Sequence, residues 1–258
     1  MLVLAPVVQF LVCFLILRWL LKKKPGEPYS KKTVVRFVLF GALSTVLNLV
    51  LMSVTPIERE MFFGMNPVLS GFLTALITAA LIEEVLKYLM FRLAVRSSRE
   101  VVCWLDAIIA AIAVGVGFTL LEDITYLFDG GGTILRAVFP MHLLFQAVMG
   151  YYYGKARVTG QARYDVLSLA VPILLHTLFD MFLIGIMSVI EDQSDSLTGL
   201  TLEELKALPY GNYLMPMLVC AVVIAIVSLI ALIQMLRKIG VWSGNGEKQE
   251  PLKAEDAA

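Results

Sequence analysis

Two adjacent carboxylates and a lysine interrupt one of the apolar stretches of this chain. Glu83, Glu84 and Lys87 lie within the run 68–91, whose other residues are apolar, small or hydroxyl-bearing. An ionisable group at membrane depth costs about 3 kcal/mol on insertion scales, so such groups are retained mainly where they serve a function. The cluster therefore predicts a membrane-spanning helix that carries a functional site.

The composition excludes an ordinary soluble protein. Of the 258 residues, 59% are hydrophobic and 16% are charged, whereas soluble domains contain about half and about a quarter. Seven apolar runs approach or exceed the roughly 20 residues that cross about 30 Å of hydrocarbon. They are 1–21, 33–54, a third that begins near residue 67 and carries the cluster, 104–128, 133–153, 166–190 and 213–236. We predict an all-α polytopic helical bundle of about seven spans in a lipid bilayer.

Basic residues alternate between the connections and predict the orientation. The connections after spans one, three, five and seven are basic, beginning with Lys22, Lys23 and Lys24, and the intervening connections are mainly acidic. The positive-inside rule then places the N-terminus outside and the C-terminus in the cytoplasm. We expect the polar tail 243–258 to be disordered and the acidic connection 191–212 to carry a short surface helix near 202–207.

The ionisable groups inside the predicted spans form a small set that includes both histidines of the chain. The set comprises Glu83, Glu84, Lys87, Glu122, Asp123, His142, His176 and Asp180. Four-residue steps place Glu83 with Lys87, and His176 with Asp180, on the same face of a helix. Asp180 is thus expected to share a site with His176 or to accept its ring N–H.

Approximate depths follow from the rise of 1.5 Å per residue. We take the third helix to begin at Gly71, which places Glu83 and Glu84 near the middle of the bilayer. His142 and Glu122 then lie nearer to the outer edge, so we predict a polar cavity that extends outward from the membrane centre. We also expect that Lys87 neutralises only one of the two carboxylates.

Buried carboxylates and histidines suit hydrolysis. A carboxylate in a low-dielectric site can accept a proton from water, and a histidine can bind a metal or stabilise an oxyanion. The sequence contains neither His-Glu-x-x-His nor Gly-x-Ser-x-Gly, which excludes the corresponding zinc and serine hydrolases. Two alternatives to an enzyme stay open, namely a non-catalytic scaffold with a structural ion pair and a proton-coupled transporter.

Four short motifs on consecutive predicted spans resemble the PrsW family of intramembrane proteases. They are Glu83-Glu84-x-x-Lys87, Phe118-x-x-x-Glu122, the single His142 and His176-x-x-x-Asp180. The resemblance covers about residues 72–180. The related CAAX prenyl proteases carry histidine at the position of Glu122 and asparagine at that of Asp180, so the pattern favours the PrsW family.

The resemblance implies a transmembrane protease domain over residues 1–242 in the plasma membrane of a bacterium. Its expected substrate is a single-span membrane protein of the anti-sigma-factor type, cut near the extracytoplasmic side, with no nucleic-acid partner. Glu83 and Glu84 are expected to activate water, with His142, His176 and Asp180 as further catalytic residues. Glu122, His142, His176 and Asp180 either bind a divalent metal such as zinc or polarise the scissile carbonyl. The rival within the same superfamily is a scaffold resembling a non-catalytic subunit of gamma-secretase.

Overall fold

The computed structural model describes residues 4–24, 26–55, 62, 65–129, 140–193, 201–207, 210–244 and 251–252, and these are almost entirely helical. The helices are α1 (Leu4–Leu21), α2 (Lys31–Val54), α3 (Pro67–Thr74), a π-helical turn (Ala75–Ala80), α4 (Leu81–Arg96), α5 (Trp104–Asp129), α6 (Met141–Thr159), α7 (Ala162–Gln193), α8 (Leu202–Ala207), a 3-10 turn (Gly211–Tyr213) and α9 (Leu214–Gly244). The predicted all-α polytopic bundle is confirmed.

Among the residues that the structure describes, five helical segments are long and apolar enough to cross a membrane. They are Lys31–Val54, Pro67–Arg96, Trp104–Thr125, Ala162–Met187 and Gly211–Ser243. The first predicted span corresponds to α1, which contains the shorter apolar helix Val7–Leu21. The fifth, 133–153, corresponds to α6, although residues 133–139 lie outside the described part of the chain. The orientation of these helices across the membrane stays a prediction.

The helix that carries the charge cluster begins earlier than expected. It starts at Pro67, so the predicted start at Gly71 is wrong. The Asn66 side chain accepts a hydrogen bond from the Val68 amide at 3.0 Å, and proline suits the first helical position because no amide hydrogen is needed there. Since the continuous segment runs to Arg96, Glu83 and Glu84 lie slightly past its midpoint, toward the Arg96 end.

Helix α5 is the centre of the bundle. In its most apolar stretch 89% of the residues are buried, whereas the corresponding share in the other four long spans is 22–39%. Helices α1, α2, α4 and α6 all pack against it. Glycines permit the closest approach, because a Cβ atom at Gly117 would collide with the backbone oxygen of Val38 in α2. The sequence of α5 therefore combines apolar length with small residues at its crossing points.

We expect Gly117→Ala to destabilise the bundle by about 1–3 kcal/mol, the usual cost of overpacking a well-packed interior. Gly240→Ala is the matched control, since the nearest atom to its added Cβ, in the Trp19 ring, lies at an ordinary 3.5 Å. Alanine is a better helix former than glycine, so the control should be neutral or slightly stabilising. Thermal unfolding of both purified variants in the same detergent measures the difference, and equal midpoints would contradict the close α2–α5 crossing.

On the predicted cytoplasmic side, the connection that follows α4 forms hydrogen bonds with the start of α2. The carboxylate of Glu100, which follows α4, accepts hydrogen bonds from the Ser30 amide at 2.7 Å and the Thr33 hydroxyl at 2.6 Å. These bonds satisfy donors at the first turn of α2. The hydrogen bond from Thr33 contributes most to a pKa of Glu100 below its ordinary value. The connection thereby fixes where α2 starts relative to α4.

Two predictions about polar segments have different outcomes. The short helix expected near 202–207 is present as α8, so this prediction is confirmed. Most of the tail 243–258 lies outside the described residues, and its disorder stays a prediction. Within the tail, Ser243 and Gly244 end α9, and the Leu252 amide donates to the Val102 carbonyl at 2.9 Å.

Candidate active site

Four helices bring the predicted site residues together in the interior of the bundle. Helix α4 contributes Glu83, Glu84 and Lys87, helix α5 contributes Glu122, helix α6 contributes His142, and helix α7 contributes His176 and Asp180. Each helix therefore supplies the motif predicted for it. The interior placement explains how a chain in lipid can retain so many ionisable groups, because they face one another rather than the hydrocarbon.

A π-helical turn directly precedes the two carboxylates. Residues Ala75–Ala80 adopt this wider turn between α3 and α4. A π turn accommodates about one extra residue, which rotates the following helix by about 100° relative to an uninterrupted α-helix. Such turns occur frequently at functional sites. The turn therefore sets the direction in which Glu83, Glu84 and Lys87 project from α4.

Lys87 occupies the middle of the cluster and is fully buried. Its Nζ atom donates to Glu83 Oε2 at 3.1 Å and to Glu84 Oε1 at 2.8 Å, and lies 3.1 Å from His142 Nδ1. It also lies 3.7 Å from the centroid of the Phe118 ring, a cation–π contact. The expectation that one ammonium serves only one carboxylate is wrong. Residues three and four positions before a lysine lie on the same helical face, so both reach it.

The two carboxylates differ in how many partners they have. Glu84 is fully buried, its Oε1 lies 3.0 Å from His176 Nδ1, and its Oε2 accepts from Gln146 Nε2 at 3.1 Å. Glu83 is 7% exposed, and its Oε2 lies 3.9 Å from His176 Nε2. Within the described part of the chain, the Oε1 atom of Glu83 makes no hydrogen bond. Glu83 is therefore the freer of the two carboxylates.

Each histidine lies between the cluster and a second acidic residue. His142 Nε2 is 2.8 Å from Glu122 Oε2, and His176 Nε2 is 3.1 Å from Asp180 Oδ2. A carboxylate on one ring nitrogen holds the imidazole in one orientation and favours a proton on that nitrogen. The four-residue spacing predicted the contact between Asp180 and His176, which is confirmed. Glu122 reaches His142 from a different helix.

The structure groups four possible metal-ligating residues. One ligand atom from each of Glu83, Glu84, His142 and His176 lies within 4.8 Å of the other three. Buried imidazole nitrogens and carboxylate oxygens are a donor set that suits zinc and similar divalent ions. This set of possible ligands contains Glu83 and Glu84 in place of the predicted Glu122 and Asp180. Glu122 and Asp180 instead contact the Nε2 atoms of the two histidines. The donors fit a metal by type, and the Lys87 ammonium lies against three of them.

Two neighbours of the site were not predicted as site residues. Gln146 binds Glu84, and the Phe145 ring stacks on His176 with centroids 5.0 Å apart. Gln146 follows His142 by four residues in α6, so the helical spacing already indicated that it shares the face of that histidine. The contact of Phe145 with His176 depends on how α6 and α7 pack, so residue spacing within one helix could not predict it.

The site lies some distance from the predicted cytoplasmic ends of its helices. With a rise of about 1.5 Å per residue, Glu84 lies about 18 Å from Arg96, His176 about 21 Å from Ala162, and Glu122 about 27 Å from Trp104. Glu122 therefore lies in the part of α5 remote from Trp104, whereas Glu84 lies slightly nearer to Arg96 than to Pro67.

Comparisons with known proteins agree with the motifs. The model of the PrsW protease family, described as PrsW family intramembrane metalloprotease, matches residues 29–202. A protein named Protease PrsW from Oceanobacillus iheyensis is 34% identical over 174 residues, which cover 65% of this chain and 77% of the relative. A protein of the same name from Halalkalibacterium halodurans is 32% identical over 183 residues, covering 67% of this chain and 78% of the relative. No solved structure matches significantly.

Proposed function

Because this chain belongs to the PrsW family of intramembrane metalloproteases, and is therefore a membrane-embedded hydrolase, we propose that it cleaves a single-span membrane protein with Glu83 as the base that activates water. The observation that carries this proposal is the unequal bonding of two adjacent buried carboxylates. Glu84 is held by three side chains, whereas Glu83 keeps one oxygen atom available. A general base needs a free lone pair directed at water.

The reaction follows from that assignment. The Glu83 carboxylate takes a proton from water while the water oxygen forms a bond to the scissile carbonyl carbon. When the tetrahedral intermediate collapses, the carbon–nitrogen bond breaks and the proton passes from Glu83 to the departing amine. The same carboxylate thus acts first as a base and then as an acid, and it returns to its starting state.

The surrounding residues position the base and stabilise negative charge. Lys87 holds both carboxylates on one side of the site, and Glu84 links Lys87 to His176. We assign His176 to polarise the scissile carbonyl through Nε2, which exchanges its contact with Asp180 for the substrate oxygen, with His142 as the second imidazole. Glu83, Glu84, His142 and His176 would hold a divalent metal such as zinc, which would supply Lewis-acid polarisation of the carbonyl.

We place the cut near the extracytoplasmic end of the substrate's span, in the cytoplasmic membrane of a bacterium. The positions of Glu122 and His142, both remote from the predicted cytoplasmic ends of α5 and α6, support this location under the predicted orientation. A helical substrate hides its carbonyl groups in backbone hydrogen bonds, so the scissile bond must lie in an extended segment. Membrane-anchored anti-sigma factors are the substrate class that the family resemblance favours, since they are single-span proteins that can present such a segment.

We expect cleavage of a co-expressed single-span test protein to give new termini close to the outer end of its span. Mass spectrometry of both fragments identifies the cut, and the Glu83→Gln variant, expressed to the same level, serves as the control for other proteases of the host. Fragment termini on the cytoplasmic side would contradict the proposed location. Absence of any cut that depends on Glu83, across a panel of single-span proteins with extended outer segments, would count against the proposed base.

A further inference from the structure

The Lys87 ammonium contacts three of the four residues that could hold a metal ion. Glu83 and Glu84 each have a carboxylate oxygen within 3.1 Å of Lys87 Nζ, and His142 has a ring nitrogen at 3.1 Å. All three belong to the group of possible metal ligands. Zinc holds its ligands at about 2.0–2.2 Å. The same three atoms therefore cannot bind a zinc ion and the ammonium at the same time. The ammonium is also fully buried and held against the Phe118 ring.

We propose that Lys87 is a resident cation that holds the metal-free site together and competes with a divalent ion for Glu83, Glu84 and His142. This inference rests on the proposed function only in assuming that the site receives a metal. The ammonium provides the positive charge that two adjacent buried carboxylates require. A divalent ion must displace it, and a fixed positive charge a few ångströms away opposes the arrival of another. Lys87 therefore lowers the affinity of the site for metal.

The test measures zinc binding rather than cleavage. The full chain, purified in detergent and freed of metal with a chelator, is titrated with Zn²⁺ by calorimetry, and bound zinc is counted by mass spectrometry. We expect Lys87→Met to bind one Zn²⁺ at least about tenfold more tightly than the wild type, because the competing charge is gone. Lys206→Met is the matched control, since that lysine is a surface residue with a side chain 46% exposed, and its zinc affinity should equal that of the wild type.

A second variant protects the test against misfolding. Lys87→Gln removes the charge but retains an amide that donates to a carboxylate, and it should show the same tightening. Adding Glu83→Gln to Lys87→Met should reverse the gain, because a ligand is lost. Zinc affinity that is unchanged or weaker in the folded Lys87 variants would overturn the inference, even if the wild type cleaves its substrate. Tighter zinc binding in a protein that cleaves nothing would support the inference and count against the proposed function.

Discussion

Glu83→Gln is expected to reduce the rate of substrate cleavage by about 100- to 10,000-fold, the usual contribution of a general base. Glutamine keeps the size and the carbonyl oxygen of the side chain but cannot take a proton from water. Glu83 contacts Lys87 through one oxygen, and Lys87 retains Glu84 in the variant. The protein should therefore still insert, purify and unfold at nearly the wild-type temperature.

The measurement is a time course of cleavage of a single-span substrate by purified enzyme in proteoliposomes. Glu203→Gln is the matched control, because that carboxylate lies in α8 with its side chain 84% exposed. It should cleave at the wild-type rate. If Glu83→Gln also cleaves at the wild-type rate, the base is another residue and the assignment of Glu83 is wrong.

Glu84→Ala is expected to lower stability by about 3–5 kcal/mol and to abolish cleavage. This carboxylate accepts from Lys87 and Gln146 and contacts His176, so its removal takes one partner from each of three buried polar groups on three helices. Removing one member of a buried charged network typically costs that much, because the remaining charges stay in a low-dielectric interior. The loss of activity then follows from the loss of the arrangement rather than from the loss of a base.

Thermal unfolding in detergent, followed by tryptophan fluorescence, measures this effect. Glu203→Ala is the corresponding surface control and should leave the midpoint unchanged. Glu84→Gln should be intermediate, since an amide can still bond to Lys87 through its oxygen. A midpoint for Glu84→Ala equal to that of Glu83→Gln would mean that the two carboxylates have equivalent structural roles, contrary to their unequal contacts.

The pair of variants also bears on the alternatives that the sequence left open. Family membership already identifies the chain as a protease family member rather than a transporter. In a purely structural ion pair, replacing either carboxylate should change stability in proportion to its contacts and leave no chemistry to lose. A large loss of cleavage in Glu83→Gln without a loss of stability is the result that only a catalytic role explains.

The sequence by itself determined the class of protein and the identity of nearly all the polar groups in the site. Hydrophobic length is a local property, so the apolar runs predicted a polytopic bundle before any packing was known. The four-residue steps predicted the contacts of Lys87 with Glu83 and of His176 with Asp180, because the geometry of one helix is enough to place them.

Only the tertiary structure decided which side chains of the four helices contact one another in the site. Three contacts depend on the rotation and docking of separate helices. They join Lys87 to His142, Gln146 to Glu84, and Glu122 to His142. The π turn before α4 changes that rotation by an amount that no residue spacing reveals. For the same reason the sequence could not tell which carboxylate is the freer one. That difference arises because partners on α6 and α7 approach Glu84 more closely than they approach Glu83.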